Sequence, residues 1–235
     1  MDWQAAEMQP RERIIVALDF PTSDEALALV RRLSPHPGLF KIGLQLYTAA
    51  GPEIVRAVCA LGGRIFLDLK LHDIPNTVGR AVQSADSLGV EMFTLRRSGG
   101  PAMLAAAVQS AAPGMLLLGV TVLTSADEAT LRETGVDSSM ENQVLRLAKL
   151  GVEAGIGGLV ASPHEVKLLR DRLRGQIQLV VPGVRPAWAE KADQKRVMTP
   201  AEALRAGADY LVIGRPITGH RDPAEAIAQI CDELS

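Results

Sequence analysis

Aromatic residues are scarce in this chain, at 3% of 235 positions, although hydrophobic residues make up 47%. A core of any size must therefore be built from Ala, Val, Leu and Ile. Cysteine is nearly absent: Cys59 and Cys231 lie far apart and show no metal-binding or redox spacing, which points to a reducing compartment. Net charge is small, −2 with a pI near 6.1, so no basic field is available for wrapping nucleic acid. No uncharged run is long enough to span a bilayer. The first 13 residues carry Asp2, Glu7, Arg11, Glu12 and Arg13 rather than an apolar stretch, and a cytoplasmic location away from membranes is expected. His36, His72, His164 and His220 are scattered without ligand spacing, so no metal is expected, and neither Ser98 nor Ser162 has the partners of a nucleophile. The first apolar run is not followed by Gly-x-Gly-x-x-Gly, which argues against a dinucleotide fold. Linkers, low-complexity stretches and charge blocks are also missing. Residues 1–12 read as an extension and 13–235 as one domain.

What the chain does have is a strict alternation. Short apolar runs at Ile14–Leu18, Leu39–Ile42, Ile65–Leu67, Met92–Leu95, Leu116–Val122, Gly158–Val160, Gln178–Val181 and Tyr210–Ile213 read as eight buried strands. Between them lie amphipathic patterns at Ser23–Leu33, Thr48–Leu61, Asn76–Leu88, Ala102–Ser110, Met140–Ala154, Glu165–Leu173, Pro200–Ala206 and Pro223–Leu234. Ser23 and Thr199 fit as helix starts, and glycine follows Leu61, Leu88 and Ala206 as a stop. Buried strands alternating with helices imply parallel pairing through crossovers. Eight such units in a chain of this length predict an α/β fold, a (β/α)8 TIM barrel.

A barrel of this kind places its chemistry just after the strands. Asp19, Lys41, Thr124, Arg185 and Gly214-Arg215 all fall there, as does the segment Asp68-Leu69-Lys70-Leu71-His72-Asp73-Ile74-Pro75-Asn76-Thr77. Asp68 and Lys70, two apart, share a face in extended backbone. Asp73 and Thr77, four apart, share one if Pro75 opens the next helix. Carboxylates around a lysine favour its ammonium form, which suits a fixed cation and proton donor rather than a nucleophilic amine. Gly214-Arg215 reads as a phosphate loop, with a surface arginine in a tight turn as the alternative. The long stretch from Pro182 through Arg185 and Gln194 to Arg196 reads equally as a lid or as a solvated loop. Asp19 and Lys41 alone would be no more than an ion pair at the barrel mouth.

Taken together, these residues resemble the orotidine 5′-phosphate decarboxylase family along nearly the whole chain. The matching segments are Val16-Ala17-Leu18-Asp19, Phe40-Lys41-Ile42-Gly43, Asp68 through Thr77, Val122-Leu123-Thr124-Ser125, Pro182-Gly183-Val184-Arg185-Pro186, Asp193-Gln194-x-Arg196, Thr199-Pro200-x-x-Ala203 and Gly214-Arg215-Pro216-Ile217. The resemblance implies loss of CO2 from orotidine 5′-phosphate to give uridine 5′-phosphate, without metal or cofactor. It implies Lys70 as cation and proton donor, held by Asp68 and by Asp73 of a second subunit, in a homodimer with shared sites. Thr77 would also come from the second subunit. Asp19 and Lys41 would contact ribose, Thr124 the pyrimidine, and Gln194, Gly214 and Arg215 the phosphate, with Arg185 in the lid.

Magnesium-dependent sugar-phosphate relatives share the Asp-x-Lys-x-x-Asp core but carry an acidic residue where this chain has Lys41. A catalytically silent nucleotide-binding protein is a further alternative, disfavoured by the intact Asp68-Lys70-Asp73 set. One departure stands out: where the family commonly reads Val-His-Ala-Ser-Gly-Gly, this chain reads Leu95-Arg96-Arg97-Ser98-Gly99-Gly100. An added cation there could compete with Lys70 for Asp68 or Asp73.

Overall fold

The computed structural model describes residues 8–34, 37–173, 177–189 and 198–234. Eight parallel strands close into a barrel in sequence order: β1 Ile14–Ala17, β2 Leu39–Gly43, β3 Ile65–Leu71, β4 Val90–Arg96, β5 Leu116–Val120, β6 Gly158–Val160, β7 Gln178–Pro182 and β8 Tyr210–Ile213. The ring is completed where Ile15 of β1 pairs with Val212 of β8. The expected (β/α)8 barrel is the fold.

Helices follow the strands: α1 Ser23–Leu33, α2 Leu44–Ala50, α3 Glu53–Ala60, α4 Pro75–Asp86, α5 Gly100–Ser110, α6 Glu128–Glu133, α7 Met140–Glu153, α8 Val166–Leu173, α9 Pro200–Ala206, α10 Arg215–Thr218 and α11 Pro223–Leu234. The single helix expected over Thr48–Leu61 is two, because Gly51 turns at φ 63° and Pro52 follows. Thr22, not Ser23, caps α1: its hydroxyl accepts from the Glu25 N–H at 3.4 Å. Thr199 caps α9 as expected, with Glu202 returning the bond.

Alternation along the strands builds two cores. Ile14, Val16, Phe40, Ile42, Ile65, Leu67, Phe93, Leu95, Leu211 and Ile213 face the helices in one continuous cluster. Ile15, Ala17, Leu39, Phe66, Met92, Leu116, Leu118, Val180, Tyr210 and Val212 form the second, which fills the barrel interior. This interior stack positions the site. Two residues beyond Ala17, Leu39, Phe66 and Met92, on the same inward side, come Asp19, Lys41, Asp68 and Thr94. A polar layer therefore rests directly on an apolar one.

Candidate active site

Lys70 is the centre of this layer. Its Nζ donates to both oxygens of Asp68, at 2.8 Å and 2.9 Å. Lys41 Nζ donates to Asp19 at 3.0 Å and lies 3.9 Å from Asp68, so four charges alternate across the mouth. Lys41 and Asp68 are largely buried, with side chains 12% and 14% exposed, whereas Lys70 is 27% and Asp19 61% exposed. The strand-end ion pair expected for Asp19 and Lys41 is thus joined to the Lys70 pair through Asp68.

The local backbone differs from the expected extended strand. β3 runs on to Leu71, and its pairing with β4 slips: Leu67 faces Phe93, yet Leu71 faces Leu95. Asp68, Leu69 and Lys70 together oppose Thr94 alone, and Lys70 takes φ 52°, the one left-handed non-glycine among the described residues. That conformation costs an L-residue roughly 1–3 kcal/mol. Asp68 and Lys70 meet because of this bulge, and not through the simple two-residue alternation of a regular strand.

Thr94 escaped sequence reading. It is fully buried, its hydroxyl accepts the Lys70 N–H at 2.9 Å, and it donates to Asp68 Oδ1 at 2.9 Å. A threonine inside an apolar strand reads only as a good strand former. Its position two residues beyond the inward Met92 was the signal that could have singled it out.

Asp73 and Thr77 stand apart. His72 through Thr77 are all exposed, and Asp73 Oδ1 accepts from the Ile74 N–H at 2.6 Å. Among the described residues no ion pair or hydrogen bond links Asp73 to Lys70 of the same chain. Pro75 does open α4, but Ile74 is the cap, so Asp73 precedes the helix and the expected helical face with Thr77 does not form.

Arg185 and Arg215 are brought together. Both line a cleft of about 490 Å3 with Trp188, Pro216, Gly219 and His220, where Trp188 meets His220 edge-on at 5.7 Å between ring centres. Gly214 connects this cleft to the charged layer, since a Cβ there would stand 3.9 Å from Asp19 Oδ2. Thr124 is exposed on the loop after β5, in a cleft of about 540 Å3 with Ser162, His164 and Glu165; burial pushes the Glu165 carboxyl above its usual range. Gln194 lies outside the described residues.

The two arginines that depart from the family pattern part company. Arg96 ends β4 half-buried. Arg97 is fully buried and turns away from Lys70, lying between β5 and α7. It donates to the carbonyls of Leu147 at 3.0 Å, Gly158 at 3.2 Å and Ala148. Burial, with no carboxylate partner among the described residues, pushes this guanidinium down to about 9. A Cβ on Gly119 or Gly151 would overlap its side chain. The competition with Lys70 for Asp68 that an added cation here could bring does not come from Arg97. A cleft of about 760 Å3 beside Arg97, lined also by Gln143, Arg146 and Lys149, holds none of the sequence-predicted site residues.

The family model described as "Orotidine 5'-phosphate decarboxylase / HUMPS family" matches residues 12–230. The chain belongs to this family. A protein of Anaeromyxobacter sp. (strain K) named orotidine 5′-phosphate decarboxylase is 53% identical over 227 residues, covering 97% of this chain and 100% of the relative. One of the same name from Moorella thermoacetica is 50% identical, covering 97% and 94%. Among solved structures, orotidine 5′-phosphate decarboxylase from Lactobacillus acidophilus superposes with a TM-score of 0.84 at 35% identity, covering 94% of this chain and 98% of that one.

Proposed function

We propose that this chain decarboxylates orotidine 5′-phosphate to uridine 5′-phosphate in pyrimidine synthesis, in the cytoplasm. The observation that carries the reading is the Lys70 ammonium, paired to Asp68 at the barrel mouth in a chain of this family. When the C6–CO2 bond breaks, its electron pair stays on C6 and CO2 leaves. An ammonium fixed beside C6 stabilises that pair more than it stabilises the substrate, which is what lowers a barrier. Lys70 then gives C6 a proton, and its neutral amine is reprotonated from solvent. In this account no metal or cofactor takes part. Asp68 holds the ammonium in place, Asp19 and Lys41 meet the ribose hydroxyls, and Thr124 meets the pyrimidine. Arg215, Gly214 and Gln194 bind the phosphate, with Arg185 closing over it. Binding energy from the phosphate then acts at the distant carbon.

We read the working form as a homodimer in which Asp73 and Thr77 complete the partner's site. Their exposure supports this, as do Ile74 on the loop after β3 and Leu44 at the start of α2, apolar side chains 66% and 56% exposed. Mixing Lys70→Ala with Asp73→Ala chains then regenerates one intact site per heterodimer, about a quarter of wild-type activity in a random mixture. No recovery in proven heterodimers overturns the shared site.

The deciding assay follows the loss of orotidine 5′-phosphate absorbance with and without EDTA. Turnover that survives the chelator supports the decarboxylase. Activity that magnesium alone restores favours a sugar-phosphate relative, and nucleotide binding without turnover favours a silent binding protein.

A further inference from the structure

Lys70 can meet Asp68 only because the backbone turns left-handed between them, and that turn leaves the Lys70 N–H out of the β3–β4 ladder. Leu67 and Leu71 keep their partners on β4, Phe93 and Leu95, while the three residues between them share Thr94. A buried N–H without an acceptor is costly, and the Thr94 hydroxyl supplies the acceptor at 2.9 Å. The same oxygen lies 2.9 Å from Asp68 Oδ1. An ionised carboxylate has no proton to give, and a hydroxyl has one, so the direction of both bonds is fixed. The backbone amide donates to Oγ1, and Oγ1 donates to Asp68.

We propose that Thr94 is a positioning residue for the reaction, one hydroxyl setting both the left-handed backbone of Lys70 and the orientation of the Asp68 carboxylate that receives its ammonium. Thr94 acts through these two residues and touches no reacting atom. Its burial holds the hydroxyl at one place, since the threonine rotamer is restricted at a β-branched centre. Asp68 Oδ1 then receives Thr94 and Lys70 together, and Oδ2 receives Lys70 while facing Lys41. Rotation of the carboxylate would break all of these contacts at once. The ammonium is thereby presented at a fixed point, as a charge that must meet a developing carbanion requires.

This inference rests on the decarboxylase reading for its kinetic arm only. The test compares Thr94→Val, which keeps the shape and removes the hydroxyl, with Thr94→Ser, which restores it. In the valine variant kcat is expected to fall about 10- to 100-fold with KM changed less than about threefold, and serine should recover most of the loss. Equal kcat in wild type and valine, a loss confined to KM, or a serine variant as slow as valine overturns the proposal. Should the valine chain not fold, Thr94→Ala against Thr94→Ser gives the same comparison. A crystal structure supplies an arm independent of activity: without the hydroxyl, Lys70 leaves its left-handed conformation or its Nζ shifts from Asp68. Unchanged geometry in that crystal overturns the positioning role. An inactive wild type with the displaced lysine would instead sink the decarboxylase reading and leave the positioning role standing.

Discussion

At the N-terminal end of the barrel, Arg64 at the start of β3 grips Glu91 of β4 through Nε at 3.0 Å and Nη2 at 2.6 Å. Nearby, Arg170 gives one nitrogen each to the Gly207 carbonyl, the Ile177 carbonyl and Asp209, and Asp209 also receives the Leu179 N–H at 2.6 Å. At the C-terminal end, the Lys70 ammonium spends its hydrogen bonds among the described residues on Asp68 alone. An ammonium has three donors. The cations at the bottom are each engaged through two or three guanidinium nitrogens, whereas the cation at the top is held by a single carboxylate and keeps donor capacity at the mouth. A guanidinium tied through several nitrogens to neighbouring elements holds strands in register, while an ammonium held by one carboxylate can still offer a donor to a ligand. On the proposed reading, the same fold separates charges that fix structure from the charge that does the chemistry.

The sharpest way to break this division is to remove a cation at the top. Lys70→Ala is expected to lower kcat by about 10,000-fold or more, since cation and acid leave together, while melting is unaffected. Near-normal turnover would overturn its role. At the bottom the expectation inverts. Asp209→Ala strands the Arg170 guanidinium, 21% exposed, and should cost about 3 kcal/mol, lowering Tm by roughly 6–10 °C with kcat per folded molecule unchanged. If thermal melts hold steady and kcat falls instead, the two ends are not distinct. Arg215→Ala should lower kcat/KM about 100-fold for the full substrate and leave a phosphate-free analogue almost untouched; equal damage to both would remove Arg215 from phosphate binding.

The smallest effect is one of pH. Burial at the bottom of the barrel, opposed by Arg64, pushes the Tyr210 phenol up from 10.0 to about 12. The folded value lies above the unfolded one, so this contribution is complete below pH 10 and is lost as the pH rises toward 12, where the unfolded chain gives up its proton first. Absorbance titration should separate a late-ionising tyrosine that Tyr210→Phe abolishes. A Tyr210 phenol that titrates near 10 would contradict it.

The eight strands were readable because their apolar runs are short and evenly spaced, and the pairing of Asp68 with Lys70 was readable because residue type and spacing coincide. The reason those two side chains meet was hidden. It depends on a register slip against β4, a relation between strands that neither strand's own residues announce. The path of Arg97 was hidden for a similar reason, as its room comes from Gly119 and Gly151, far along the chain. The missing helix break was different in kind: Gly51-Pro52 is a local signal, overridden by the apolar periodicity on either side of it. The neighbouring Thr22 and Ser23 are both competent caps, and residue type alone does not choose between them.

The burial of Arg97 against two bare glycines also constrains how this lineage can change. An alanine arriving first at position 119 or 151 collides with a fully buried arginine side chain, whereas a shorter residue arriving first at 97 leaves a hole that alanine can then fill. Loss of the arginine must therefore precede the gain of either methyl group, and an arginine can return only after both glycines have.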